Sequence, residues 1–205
     1  MVLLSLFLSK FVGFSLIFFS IFLKLPQIYK IIKRKKIKSL STTSVLLEIA
    51  VNCISYCYHR VNGFPISTYG ETIIILAQNV IIGFLVFHIS PNHSIIFWDI
   101  YISHIFFLIF CVETHSITIL HIRPLWMICG PLSQIQKIPQ IYVLMCNKAT
   151  EEISVLSSFL VFGGAMGRLF TNILEIKDIY LLSLNITSCV LNGTIFSLSF
   201  LFSKQ

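Results

Sequence analysis

Apolar residues run along this chain in continuous blocks of roughly 20, separated by short polar or charged stretches; that is the length of a helix crossing a bilayer core. The blocks fall at 11–32, 42–61, 70–90, 94–112, 119–146, 154–174 and 179–202, and they predict about seven transmembrane helices. The strands of a membrane barrel would alternate apolar and polar residues in runs of about ten, and no such alternation is visible. The fifth block is the weakest, because Arg123, Pro124, Gly130, Pro131 and Lys137 interrupt it. The connecting loops are short throughout and leave no room for a soluble domain.

Composition agrees with a lipid setting. The chain is 56% hydrophobic and 11% charged, whereas a soluble domain carries about 25% charged residues. In lipid, only helices and closed barrels satisfy the backbone hydrogen bonds. The formal charge of +7 is not a nucleic-acid signal, since Lys30, Lys33, Arg34, Lys35, Lys36 and Lys38 form one run between two apolar blocks. Such a run marks a cytosolic loop or a contact with lipid headgroups. Placing it in the cytosol puts the amino terminus in the lumen and the carboxyl terminus in the cytosol. Lys148 and Lys204 then join the cytosolic side, while Lys10, Arg60, Arg123 and Lys177 face the other. Residues 2–8 are apolar and precede Lys10, but no small-x-small site precedes the next block, so no cleaved signal peptide is expected.

Candidate chemistry is sparse. Cys53, Cys57, Cys111, Cys129, Cys146 and Cys189 form no C-x-x-C pair and sit mostly inside apolar blocks, where they read as small buried side chains. The histidines lack metal-ligand spacing. There is no G-x-S-x-G, H-E-x-x-H or Walker A motif. Glu71, Glu113, Glu175 and Asp178 are lumenal in this topology but are spread over three loops. Nothing implies an enzyme, a catalytic residue, a cofactor or a metal site.

An internal repeat decides the organisation. Residues 24–29 read K-L-P-Q-I-Y, and 113 residues later 137–142 read K-I-P-Q-I-Y. At the same offset Leu40-Ser41 answers Ile153-Ser154, and Ser44 answers Ser157. The blocks therefore group as three, one and three: a first repeat over 1–90, a linker helix over 91–118 and a second repeat over 119–205. The first and fifth blocks are an even number of spans apart, so the two repeats share one orientation. The fold class expected is all-α, a polytopic membrane protein of two parallel three-helix repeats joined by a linker helix.

The repeated motif has a physical consequence. A proline inside a helix removes one backbone hydrogen bond and pushes away the carbonyl four residues back; for Pro26 that is Phe22, and for Pro139 it is Ile135. In a membrane the freed carbonyl needs a partner or a wet cavity, and Gln27 and Gln140 stand beside the two prolines. The pair reads as hinges around a central cavity, or as kinks that only shape the bundle. Lys24 and Lys137 precede the motifs near the cytosolic ends of their spans, where they snorkel to headgroups or meet an anion in the cavity. Glu48, Asp99 and Arg168 are charges within spans, each costing about 2.5–3.5 kcal/mol unless partnered or wet. Gly163 and Gly167 make a G-x-x-x-G suited to close helix packing. Gln78 and Asn79 occupy the positions of Leu191 and Asn192, so Asn79 and Asn192 form a repeat-related pair, suited to hydroxyl binding or to interhelical hydrogen bonds.

These features resemble the PQ-loop, SWEET-related family of membrane proteins, whose small sugar transporters use the parallel-repeat arrangement. Within it the chain is similar to the mannose-P-dolichol utilization branch. The resemblance runs through K-L-P-Q-I-Y at 24–29, S-V-L-L-E at 44–48 and F-P-I-S-T-Y-G-E at 64–71; L-V-F-G-G at 160–164, Arg168, Phe170-Thr171, Glu175, Asp178 and L-N-G at 191–193 carry it in the second half. After the first motif the family has a small-residue stretch with glycine, where this chain has K-R-K-K-I-K-S-L-S. The resemblance implies an endoplasmic reticulum protein that supports the use of dolichol-phosphate-mannose and dolichol-phosphate-glucose as lumenal donors, in N-glycan precursor assembly, GPI-anchor synthesis and protein mannosylation. The implied partners are dolichol-phosphate-linked sugars, membrane lipid and lumenal glycosyltransferases, and not nucleic acid. Lys24, Lys137 and Arg168 suit the phosphate, since burying that anion needs a cation; Glu48, Glu71, Gln78, Asn79 and Asn192 complete the candidate ligand-binding set. The rival classes are a PQ-loop transporter of a sugar or amino acid, in which Glu48 is the candidate for proton coupling, a cargo receptor, and a membrane scaffold.

Three N-x-S/T sequons occur, at Asn92, Asn185 and Asn192. The topology puts Asn92 in the cytosol and the other two inside the last span, so none is expected to carry a glycan. Digestion with an N-glycan-removing amidase should leave the mobility of the expressed protein unchanged; a downward shift would contradict this topology.

Overall fold

The computed structural model describes residues 2–34, 42–89, 95–135, 137–147, 155–176 and 178–202. Lys35, Lys36, Lys38, Asn92, Lys148, Lys177 and Lys204 lie outside these described residues. Among the described residues every regular element is a helix: α1 (Val2–Leu23), α2 (Leu25–Arg34), α3 (Thr42–Val61), α4 (Ile66–Ile89), α5 (Ile95–Glu113), α6 (Ile119–Ile135), α7 (Lys137–Asn147), α8 (Val155–Glu175) and α9 (Ile179–Phe202). They occupy the seven predicted places, with the first filled by α1 and α2 and the fifth by α6 and α7. The chain is an all-α polytopic membrane protein. Four segments are by length and composition able to cross a bilayer: Leu6–Lys33, Ile66–Ile89, Ile96–Glu113 and Ile179–Phe202. The helix of the first span starts earlier than expected, at Val2, because residues 2–8 are apolar enough to continue it past the exposed Lys10.

The chain packs as two units, Ile17–Met127 and Met1–Leu16 with Ile128–Gln205. In the first, α3 and α4 form a hairpin through residues 62–65. Gly63 ends α3 with φ 68, the left-handed conformation that a side chain disfavours. The amides of Gly63 and Phe64 return to the carbonyls of Arg60 and His59, at 3.1 Å each. Pro65 fixes the entry into α4, and its carbonyl accepts from the Thr68 amide at 3.0 Å and the Thr68 hydroxyl at 2.7 Å. The core face of α3 is a stripe at every fourth position, Val45, Ile49, Cys53 and Cys57, all buried. On α5 the buried positions Trp98, Ile105 and Val112 recur every seven residues, while Phe97, Ile100, Phe106, Phe107 and Phe110 are exposed. An outer face of aromatic and branched apolar residues belongs against hydrocarbon.

In the other unit α8 and α9 form the second hairpin. The Asp178 carboxylate caps α9, accepting from the amides of Tyr180 at 2.9 Å and Leu181 at 3.2 Å. The start of α1 joins this unit: Ser9 donates to Glu175, and Gly167 faces Val12 and Leu16. The G-x-x-x-G pair is thus only half used, since a side chain added at Gly163 would meet nothing within 4 Å.

Gly83 is the most closely approached of the described glycines in the first unit. A methyl group there would stand 2.3 Å from the Trp98 ring and 3.3 Å from Ile49. Trp98 has little room to retreat, because it is itself buried and stacked on Phe87 at 5.3 Å. Gly83→Ala should therefore destabilise by about 1–3 kcal/mol through overpacking, whereas Gly163→Ala should be neutral or stabilise by up to about 1 kcal/mol through helix propensity. Thermal unfolding of the two purified variants in one detergent checks the contrast.

Candidate functional site

The first Pro-Gln motif coincides with a break between helices, and the second lies in the opening turn of α7. In the first unit α1 stops at Leu23, Lys24 stands outside the helix and α2 begins at Leu25. Pro26 is the second residue of α2, close to the helix start, where a missing N–H is lost at little cost. The backbone resumes with the Ile28 amide donating to the Lys24 carbonyl at 3.0 Å. The carbonyls at the end of α1 need outside donors, and one comes from α4: Gln78 Nε2 donates to Ile21 O at 2.5 Å and to Ser20 O at 3.3 Å. Gln27 is half-buried and Pro26 exposed beside this break.

Lys24 donates to Glu48 of α3, closing an ion pair. The two side chains are 20% and 43% exposed, so the pair is only partly removed from its surroundings. Next to Gln78 on α4 lies Asn79, 1% exposed; both its amide atoms and Gln78 Oε1 are buried with no hydrogen-bond partner. Unmet amide groups at such depth carry a desolvation penalty of about 1–3 kcal/mol each, which a polar guest would relieve. Glu71 stands two turns toward the start of α4, roughly 10 Å along the axis from Gln78, and belongs to a different constellation.

That constellation closes the α3–α4 hairpin. His59 stacks on Tyr69 at 5.4 Å and meets Phe64 and Trp126 edge-on, while its Nδ1 lies 2.7 Å from Ser55 O. Tyr58 stacks on Trp126 at 5.6 Å. Ser67, Thr68, Tyr69, Gly70 and Glu71 are all buried in the opening turns of α4. Beside them Arg60 holds both oxygens of Glu113 at 3.1–3.3 Å, and the Tyr56 hydroxyl donates to the same carboxylate. The sequence reading left Arg60 and Glu113 as scattered charges. Their shared position at the ends of the second and fourth spans, hence on one face, was the signal that could have joined them.

The second Pro-Gln motif, at the start of α7, has a different electrostatic setting. Lys137 opens α7 and donates to Gln134 Oε1 at 2.9 Å and to Ser188 Oγ of α9 at 3.0 Å. Ser188 also accepts from Asn192 Nδ2 at 3.2 Å. Ser188 and Asn192 are both buried. Arg168 lies on α8 and is half-buried. Pro139 and Gln140 lie within α7, but their side chains are outside those described. Asp99, the remaining charge predicted within a span, is exposed.

The Lys24–Glu48 pair sets a test. Removing either partner leaves the other charge alone at membrane depth, so Lys24→Met and Glu48→Gln should each destabilise by about 1–3 kcal/mol, between the values for exposed and buried pairs. The double variant should recover at least half of the summed loss in thermal unfolding; strict additivity would mean that the pair contributes nothing.

The "PQ loop repeat" family profile matches residues 8–68 and 124–181, more than half of the chain, and each stretch holds one Pro-Gln motif. Human "Solute carrier family 66 member 3" is 39% identical over 70 residues, which are 34% of this chain and 35% of that relative. The chain is therefore aligned with only about a third of that relative's length. No solved structure matches. Two copies of the repeat, each carrying its Pro-Gln motif, place this chain in the PQ-loop repeat family of membrane proteins.

Proposed function

We propose that this chain makes dolichol-phosphate-mannose and dolichol-phosphate-glucose usable as lumenal sugar donors, as the mannose-P-dolichol utilization defect proteins do, by presenting or translocating the lipid-linked sugar. In this reading it is a non-enzymatic, multi-pass protein of the endoplasmic reticulum, its amino terminus lumenal and its carboxyl terminus cytosolic. Residues 1–90 and 119–205 are the two repeats and 91–118 the linker. Its partners are the lipid-linked sugars, the surrounding lipid and lumenal glycosyltransferases; its output feeds N-glycan precursor, GPI-anchor and mannosylation pathways.

The observation that carries the reading is the F-P-I-S-T-Y-G-E segment at 64–71, the most specific string in the sequence. It does not lie slack on the surface. Phe64 and Pro65 make the α3–α4 turn, and Ser67 to Glu71 are buried beside the stacked rings of His59, Tyr69, Tyr58 and Trp126. A buried carboxylate close in sequence to ring faces is the chemistry that meets sugar hydroxyls and C–H faces. A second reading has its own support. The human relative is titled a solute carrier, and the Lys24–Glu48 pair is a group that protonation would open. On that basis the chain is a PQ-loop carrier of a sugar or amino acid, coupled to protons.

Expression in cells lacking their own utilization-defect protein separates the two. Full-length dolichol-linked oligosaccharides should reappear with the native chain, and Glu71→Gln should lower that rescue severalfold at equal expression. Truncated precursors that persist despite correct expression and location would put the solute-carrier reading first.

A further inference from the structure

The two Pro-Gln regions share a sequence motif but not a charge balance. Lys24 faces the carboxylate of Glu48. At the repeat offset the residue answering Glu48 is Val161, which is exposed, and the residue answering the buried Ser55 is Arg168. The second repeat has thus replaced the acid by an apolar side chain and a neutral hydroxyl by a cation. The partners of Lys137 are the neutral oxygens of Gln134 and Ser188. An ammonium has three N–H donors, and these two bonds use two of them. The carboxylates of Glu175 and Asp178 are engaged elsewhere in this unit, Glu175 with Ser9 and Asp178 on the amides that open α9.

Among the described residues no carboxylate pairs with Lys137, and an ammonium within a span without an anion is costly. The first repeat answers that cost within the chain. The second leaves it to a ligand. We propose that Lys137, positioned by Ser188 and Asn192, is the anion-binding point of this protein and takes the oxygens of a phosphate group, whereas Lys24 is sequestered by Glu48 and does not. The lipid form of that ligand rests on the dolichol-phosphate reading above; the anion chemistry at Lys137 stands apart from it. Ser188 accepts from both Lys137 and Asn192, so its hydroxyl proton is directed away from them and adds a donor for the same anion.

The purified full chain in nanodiscs of neutral lipid, titrated with phytanyl phosphate and separately with inorganic phosphate, tests this by native mass spectrometry and isothermal titration. Phytanyl phosphate should bind once per chain. Lys137→Gln, which removes the charge while keeping a donor for Ser188, should weaken binding by about tenfold or more, the scale of one charged hydrogen bond. Lys137→Arg should retain most of it, and Lys24→Gln should change it by less than about threefold. Equal losses in the Lys24 and Lys137 variants, or none in the latter, would overturn the assignment. Inorganic phosphate that binds alone and competes identifies a water-borne phosphate; binding of the lipid alone identifies a membrane headgroup. Failed rescue with Lys137-dependent phosphate binding intact removes only the dolichol reading, while successful rescue with undiminished binding by Lys137→Gln removes only this inference.

Discussion

A backbone carbonyl cannot be left bare in hydrocarbon, and this requirement organises the structure. An unbroken helix meets it alone. A helix interrupted at a Pro-Gln motif does not, so the interruption must be answered by another helix. At the first motif the answer is Gln78, whose amide reaches across from α4 to the end of α1. At the second motif, Lys137 ties the start of α7 to Gln134 of α6 and Ser188 of α9. Each motif is thus met by a polar group on a neighbouring helix.

Duplication gave the two motifs a common frame, and substitution then separated them. Glu48 against Val161 and Ser55 against Arg168 are changes of charge at equivalent positions. Asn79 and Asn192 diverge as well. Asn192 is tied to Ser188, while Asn79 has two buried amide atoms without partners among the described residues.

Much of this was legible in the sequence, for a physical reason. Helices in lipid are dictated by the length of apolar runs, and the runs alone locate every span. Proline announces the break between α1 and α2 in the same local way, and the repeated K-x-P-Q-I-Y announces the family. Side-chain partnerships are another matter, since they depend on which faces of two helices meet. Gln78 was visible as a polar residue in a span, but not as the donor to Ile21. Lys24 and Glu48 were each singled out, but nothing in their spacing joined them. The same blindness misjudged Gly163, whose spacing from Gly167 suggests a packed seam although it faces open space. His59 attracted no notice as one of six scattered histidines, yet it lies at the centre of an aromatic cluster.

The two hairpins, α3 with α4 and α8 with α9, are the most closely packed helix pairs, and each is joined by a very short link: residues 62–65 in one and 176–178 in the other. Closing a loop of this size takes well under a microsecond, and helix growth is comparably fast, whereas a ribosome adds roughly 5–20 residues per second. Each pair can therefore zip together as soon as its second helix is released into the bilayer, and the first does so long before the next span has been made. The capped turns at Gly63 and Asp178 act on the time axis as well as in space. They turn a seven-span assembly problem into the docking of preformed pairs, and they shorten the interval in which a half-built membrane protein exposes its polar interior to lipid.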